Sequence, residues 1–168
     1  MENIIYLDID GVLAPKRMFD SYEFDPQLKA RLVRSKNDPT IGKLPDTLVH
    51  QVYHHFDDQS CQYIIKLAQE FNAKIVVTSS WRLFYNLEQM KAILNIFDLG
   101  PYVVDLTQEG LPRYRVIQDH INAHKIKHYL VIDDLDMERQ FPNHFVLANY
   151  RFDLDHYKQA RKLLLWQN

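Results

Sequence analysis

Cysteine is almost missing from this chain of 168 residues, with Cys61 standing alone. No intrachain disulfide can form, no disulfide-linked partner is expected, and no thiol cluster is available for a metal. Long apolar runs are missing too: no stretch reaches the roughly 18 residues needed to cross a bilayer. The N-terminal residues 1–10 show neither a basic leader region nor a long apolar one, so the expectation is a soluble, cytoplasmic protein without a membrane partner. A strong excess of one charge is also lacking, since the formal net charge is -2 and the pI about 6.4. This balance gives no support for binding long nucleic acid through a broad basic surface. The local group Lys29, Arg31, Arg34 and Lys36 reads as a solvated helix face. Repeats and low-complexity stretches are absent.

What is present fits one domain over residues 1–168, with 46% hydrophobic and 25% charged residues. Short apolar runs alternate with helical patterns, which predicts an α/β fold: a Rossmann-like parallel sheet flanked by helices. The predicted strands are Ile4–Leu7, Lys74–Val77, Tyr102–Val104, Tyr129–Ile132 and Phe145–Leu147. The predicted helices are Ser60–Asn72, Leu83–Phe97, Tyr114–His124 and Leu154–Trp166, the last with Asp153 as its N-cap. Residues 14–59 break the rhythm. They hold Pro15, Pro26, Pro39 and Pro45 and no clear strand, so they read as an insertion with short helices of its own. Its position beside the end of the first strand makes it a small cap or lid.

Polar residues follow the strands directly. Asp8 and Asp10 follow the first, Thr78 and Ser79 the second, and Asp133 and Asp134 a later one. Open α/β sheets bind ligands beyond these strand ends. Asp8 and Asp10, two apart on an extended chain, face the same side, and Gly11 permits a sharp turn. Clustered carboxylates call for a hard cation, and magnesium takes carboxylates, waters and phosphate oxygens. Such a site lets one aspartate attack phosphorus while the other acts as general acid and base. Hydroxyls and a cationic side chain would complete it.

The run Ile4-Ile5-Tyr6-Leu7-Asp8-Ile9-Asp10-Gly11-Val12-Leu13 resembles the first motif of the haloacid-dehalogenase (HAD) superfamily of phosphohydrolases. The resemblance implies that Asp8 is the nucleophile and Asp10 the general acid/base, whose backbone carbonyl also helps to hold Mg²⁺. Val76-Val77-Thr78-Ser79-Ser80-Trp81-Arg82 is similar to the second motif, which makes Thr78, or Ser79, the phosphate-binding hydroxyl. Its T-S-S-W-R form looks like the bacterial branch of HAD domains in RNA-repair-like proteins. Val131-Ile132-Asp133-Asp134 matches the fourth motif, so that the implied metal set is Asp8, Asp10, Asp133 and Asp134. The third-motif lysine has no counterpart, and Arg113 or Arg115 stands in its region. Either arginine could hold phosphate in a bidentate manner. Arg82 reads as a phosphate contact or a brace for Asp10.

Other polar groups read as structural. His120, His124 and His128 recur every four residues, but without a zinc-type motif they read as exposed helix residues, and His128 leaves that face. His50, His54 and His55 with Asp57 and Asp58 form a cluster inside the insertion. Asp136 reads as an N-cap or an accessory metal-site acid, and Trp81 as packing beneath the site. The expected activity is Mg²⁺-dependent hydrolysis of a phosphomonoester, on a nucleotide or nucleic-acid end, a phosphoprotein or a small metabolite. Two alternatives stand beside it: a non-catalytic module that binds a phosphorylated partner, and a phosphotransferase.

Overall fold

The structure, a computed structural model, describes residues 3–17 and 21–167. Five parallel strands form one sheet: β1 (Asn3–Leu7), β2 (Ala73–Val77), β3 (Val103–Leu106), β4 (Tyr129–Asp133) and β5 (Phe145–Leu147). Their lateral order is β3-β2-β1-β4-β5, so the first strand lies at the centre. Six helices flank it among the described residues: α1 (Leu28–Lys36), α2 (Asp46–His55), α3 (Asp58–Glu70), α4 (Leu87–Asn95), α5 (Arg113–His124) and α6 (Leu154–Gln167).

Strand residues alternate between two buried layers, as the period of two requires. Ile5, Leu7, Ile75, Val77, Leu130 and Ile132 join the larger core with α3, α4 and α6. Ile4, Tyr6, Val76 and Val131 face the other way, against Ile117 of α5, Phe141 and Phe145. Burial on both faces explains why these strands read as continuous apolar runs.

Several boundaries differ from those predicted, each for a local reason. α3 begins at Asp58 because the Asp57 side chain accepts from the Ser60 N–H at 2.8 Å. The predicted helix 83–97 is divided. Ser80–Leu83 forms a short 3₁₀ turn, and a reciprocal capping box between Asn86 and Gln89 starts α4 afresh at Leu87. Tyr102 belongs to a 3₁₀ turn over Gly100–Tyr102, so β3 starts one residue later. Asp153 caps α6 as predicted, accepting from the Asp155 and His156 N–H groups.

Within residues 14–59 the chain forms α1, a 3₁₀ turn at Pro39–Lys43 and α2, with no strand among the described residues. Leu28, Leu32, Ile41, Leu44, Leu48, Val49 and Val52 enter the larger core cluster of the sheet. Lys36 reaches Asp98 and Asn95 reaches Asp38, both at 2.8 Å, tying this segment to the end of α4. Most of the basic group is paired here: Lys29 with Asp46, Arg31 with Asp25 and Lys36 with Asp98. No described helix is long and apolar enough to cross a membrane.

Candidate active site

Parallel register assembles the site. Leu7 pairs with Val77 on one side and with Ile132 on the other, so the next residues of all three strands emerge together. The ladder continues one step further, with Thr78 N–H donating to the Leu7 carbonyl at 2.9 Å and Asp8 N–H to the Ile132 carbonyl at 3.0 Å. Asp8, Thr78 and Asp133 thereby become neighbours at the sheet's carboxyl edge, and all three are buried.

Asp8, Asp133 and Asp134 each present an oxygen within 4.8 Å of the others. Two cations answer them. Arg113, the first residue of α5, sends Nη1 to both oxygens of Asp133 at 2.9 and 2.8 Å and to Asp8 Oδ2 at 3.2 Å. Lys16 holds Asp134 Oδ2 at 2.7 Å. Arg115 is exposed on the same helix, so of the two arginines it is Arg113 that enters the cluster. Their separation of two residues turns them about 200° apart around the helix, and one cannot replace the other.

The electrostatics follow from burial. Desolvation, with Asp133 beside it, pushes the Asp8 carboxyl up to about 8 although Arg113 opposes this. Burial also raises Asp133, again against Arg113. Burial works against charge on Asp134 as well, yet its hydrogen bond with Lys16 holds it below the usual carboxylate range. Two protein cations therefore leave three crowded carboxylates incompletely balanced. An all-oxygen set with residual negative charge fits a hard divalent ion such as Mg²⁺, with Asp8, Asp133 and Asp134 as the residues able to hold it. The Asp10 carboxylate is not in this group; it is exposed and accepts from Trp81 Nε1 at 3.0 Å.

The two hydroxyls of the second strand end differ. Ser79 Oγ accepts from the Trp81 N–H and caps the 3₁₀ turn. Thr78 Oγ1 is buried without a hydrogen-bond partner. A buried hydroxyl left unpaired costs free energy, on the order of 1–3 kcal/mol, unless something else meets it. Arg82 points Nη1 at the carbonyls of Thr78 and Ser79, at 2.6 and 2.9 Å, and Nε at the Gln108 carbonyl at 3.3 Å. It braces the backbone of this loop, while the support of Asp10 comes from Trp81.

Gly11 has a φ of +77°, and a Cβ there would stand 2.7 Å from Asp134 Oδ2. Its lack of a side chain thus serves the turn and the close approach of Asp134 together. Asp136 accepts from the Glu138 N–H at 3.0 Å and caps its own turn. His50 is buried and bonded to the backbone of Asp25 and Asp46, a structural role. His54 stacks on Tyr22.

Sequence reasoning missed Lys16 and the hydrogen bond of Trp81. Lys16 lies in the Pro-rich stretch after Gly11 with no motif to mark it, and the Trp81 indole was visible only as bulk.

Neither the curated proteins nor the solved structures include a match to the chain. Residues 4–157 match the family described as the HAD domain in Swiss Army Knife RNA repair proteins. That span runs from β1 into α6 and contains every residue of the acidic cluster, together with Lys16, Thr78, Trp81 and Arg113. The chain belongs to this family of HAD domains from Swiss Army Knife RNA repair proteins.

Proposed function

We propose that the chain is a magnesium-dependent phosphohydrolase that removes a terminal phosphate from RNA through an aspartyl-phosphate on Asp8. The family points in general to HAD-type phosphohydrolase chemistry. The observation that carries the reading is the joining of the buried Asp8 and Asp133 with the half-buried Asp134 in one group, beside the unpartnered Thr78 hydroxyl at the end of the adjacent strand.

A bound Mg²⁺ would offset the carboxylate charge and polarise the phosphoryl oxygens. Thr78 Oγ1 donates to a phosphoryl oxygen, and the loop behind it is held by Arg82. Asp8 attacks phosphorus through a carboxylate oxygen, forming the acyl-phosphate bond as the ester P–O bond breaks. Asp10, oriented by Trp81, gives its proton to the leaving ribose oxygen. Water then attacks the aspartyl-phosphate, Asp10 takes its proton, and inorganic phosphate and free Asp8 are produced. Arg113 balances the negative charge of Asp8 and Asp133 throughout.

RNA is favoured among phosphorylated partners by the description of the family. Residues 14–59 act as a small cap within one domain: they start at Ala14, which bridges to Asp10, and they supply Lys16 to the acidic group.

The test is turnover of an aryl phosphate and of RNA carrying 5′- or 3′-phosphate, with Mg²⁺ and with EDTA. Turnover that requires Mg²⁺ and is abolished in Asp8→Asn is expected, with an acid-stable label trapped on the wild-type chain. Binding of phosphorylated RNA without turnover would instead identify a non-catalytic module. Phosphate passed to an alcohol in preference to water would identify a phosphotransferase.

A further inference from the structure

A second constellation lies away from the acidic cluster, on the sheet face covered by α5. His120 and His124 stand four residues apart on that helix, with their rings stacked at 4.3 Å between centroids. Asp105, on edge strand β3, brings Oδ2 to 3.1 Å from His120 Nε2. One ligand atom from each of the three lies within 4.8 Å of the other two. The sequence reading of these histidines as exposed helix residues fails for His120, whose side chain is only 11% exposed.

The other ring nitrogen of His120 is also engaged. Nδ1 lies 2.9 Å from the hydroxyl of Tyr6, a fully buried residue of the central strand. A metal-bound imidazole commonly gives its remaining N–H to a fixed acceptor, which sets the tautomer and the ring plane. The Tyr6 oxygen can accept from Nδ1–H, and that tautomer leaves Nε2 as a lone pair directed toward Asp105. Beside the group is a small cavity of about 180 Å³, lined by Gln108, Val116, Asp119, Ala123 and the two histidines. It leaves room for water beside the two histidines.

From this geometry we infer that Asp105, His120 and His124 form a binding site for a transition-metal ion of the zinc class, separate from the magnesium-type carboxylate cluster. Two imidazoles and one carboxylate suit Zn²⁺, whose fourth ligand is a water in the adjoining cavity. The donor chemistry separates the two sites. The strand-end cluster is oxygen-only and favours a hard ion, whereas imidazole nitrogen selects the borderline ion. A metal here would also join edge strand β3 to α5, the helix whose first residue is Arg113. The site does not depend on the proposed hydrolysis, because none of its residues belongs to that machinery.

The experiment is calorimetric titration of the full chain with Zn²⁺ in the presence of excess Mg²⁺, which keeps the carboxylate cluster occupied. Wild type, His124→Ala, Asp105→Asn and Asp8→Asn are compared, with circular dichroism to show that each is folded. A single saturable Zn²⁺ site in wild type and in Asp8→Asn, weakened by about tenfold or more in His124→Ala and in Asp105→Asn, is the expected result. Co²⁺ in place of Zn²⁺ should give visible absorption bands of a four-coordinate ion that vanish in His124→Ala. Three outcomes would overturn the inference: no Zn²⁺ binding by folded wild type, equal binding by His124→Ala, or loss of binding in Asp8→Asn alone. The last would assign the zinc to the acidic cluster.

Discussion

Trp81 donates its indole N–H to Asp10 Oδ2 at 3.0 Å, joining the loop after β2 to the loop after β1. The indole also packs near Phe56 and Tyr85, so its plane is set by the core and its donor by the site. In Trp81→Phe the packing is largely kept and the donor is lost. General acid catalysis contributes about 10²–10⁴-fold where it operates, and under the proposed role of Asp10 as that acid, loosening it should remove about tenfold. The loss should be greater for an alkyl phosphate than for a nitrophenyl phosphate, whose leaving group needs little protonation. An equal loss on both substrates would show that Trp81 does not act through Asp10.

Arg113 meets Asp8 and Asp133 together. Arg113→Ala leaves buried carboxylates without this partner, a change that costs about 3–5 kcal/mol in comparable buried pairs. Its melting temperature in EDTA should drop well below wild type, and Mg²⁺ should restore part of the loss by supplying positive charge. Arg115→Ala, at an exposed position, should change stability by no more than about 0.5 kcal/mol. Equal effects of the two substitutions in thermal melts would contradict the structure.

The Asp8 carboxyl is raised from 3.8 to about 8, chiefly by burial and by Asp133. A raised acid binds its proton more tightly when folded than when unfolded. Its contribution to stability is therefore complete below about pH 4 and is lost as pH rises through about 8. Without metal, the melting temperature should fall between about pH 5 and pH 8. Mg²⁺ binding requires the deprotonated ligands, so the shift it produces should be larger at the higher pH. A melting temperature in EDTA that is flat or rising across this window would count against the buried cluster.

Gly11→Ala places a methyl group 2.7 Å from Asp134 Oδ2 on a backbone with φ of +77°. The strained conformation costs about 1–3 kcal/mol, and Asp134 or the turn must move. Reduced stability together with weaker Mg²⁺ binding is expected in calorimetry. Reduced stability with unchanged Mg²⁺ affinity would show that the turn yields and Asp134 keeps its place.

Much of the fold was legible because its signals are local. The central strands β1, β2 and β4 are short apolar runs buried on both faces, and the residues at their carboxyl ends follow directly in the chain. Thus Asp8, Thr78 and Asp133 could be named as strand-end residues before their distances were known. The break at Asn86 was harder to read, since Leu83, Leu87 and Phe97 continue a helical pattern while the capping box depends on side-chain hydrogen bonds.

From the residues alone came the alternation of apolar strands and helices, and with it the chain order of the three polar clusters. Tertiary structure alone decided which strands lie side by side, which arginine turns inward, and that Lys16, Trp81 and the Asp105–His120 pair meet partners far away in the chain. The physical reason is that burial pattern and turn chemistry act over a few neighbouring residues. Lateral register and helix rotation are settled only when all the elements pack, and those two quantities determine which charges share a cavity.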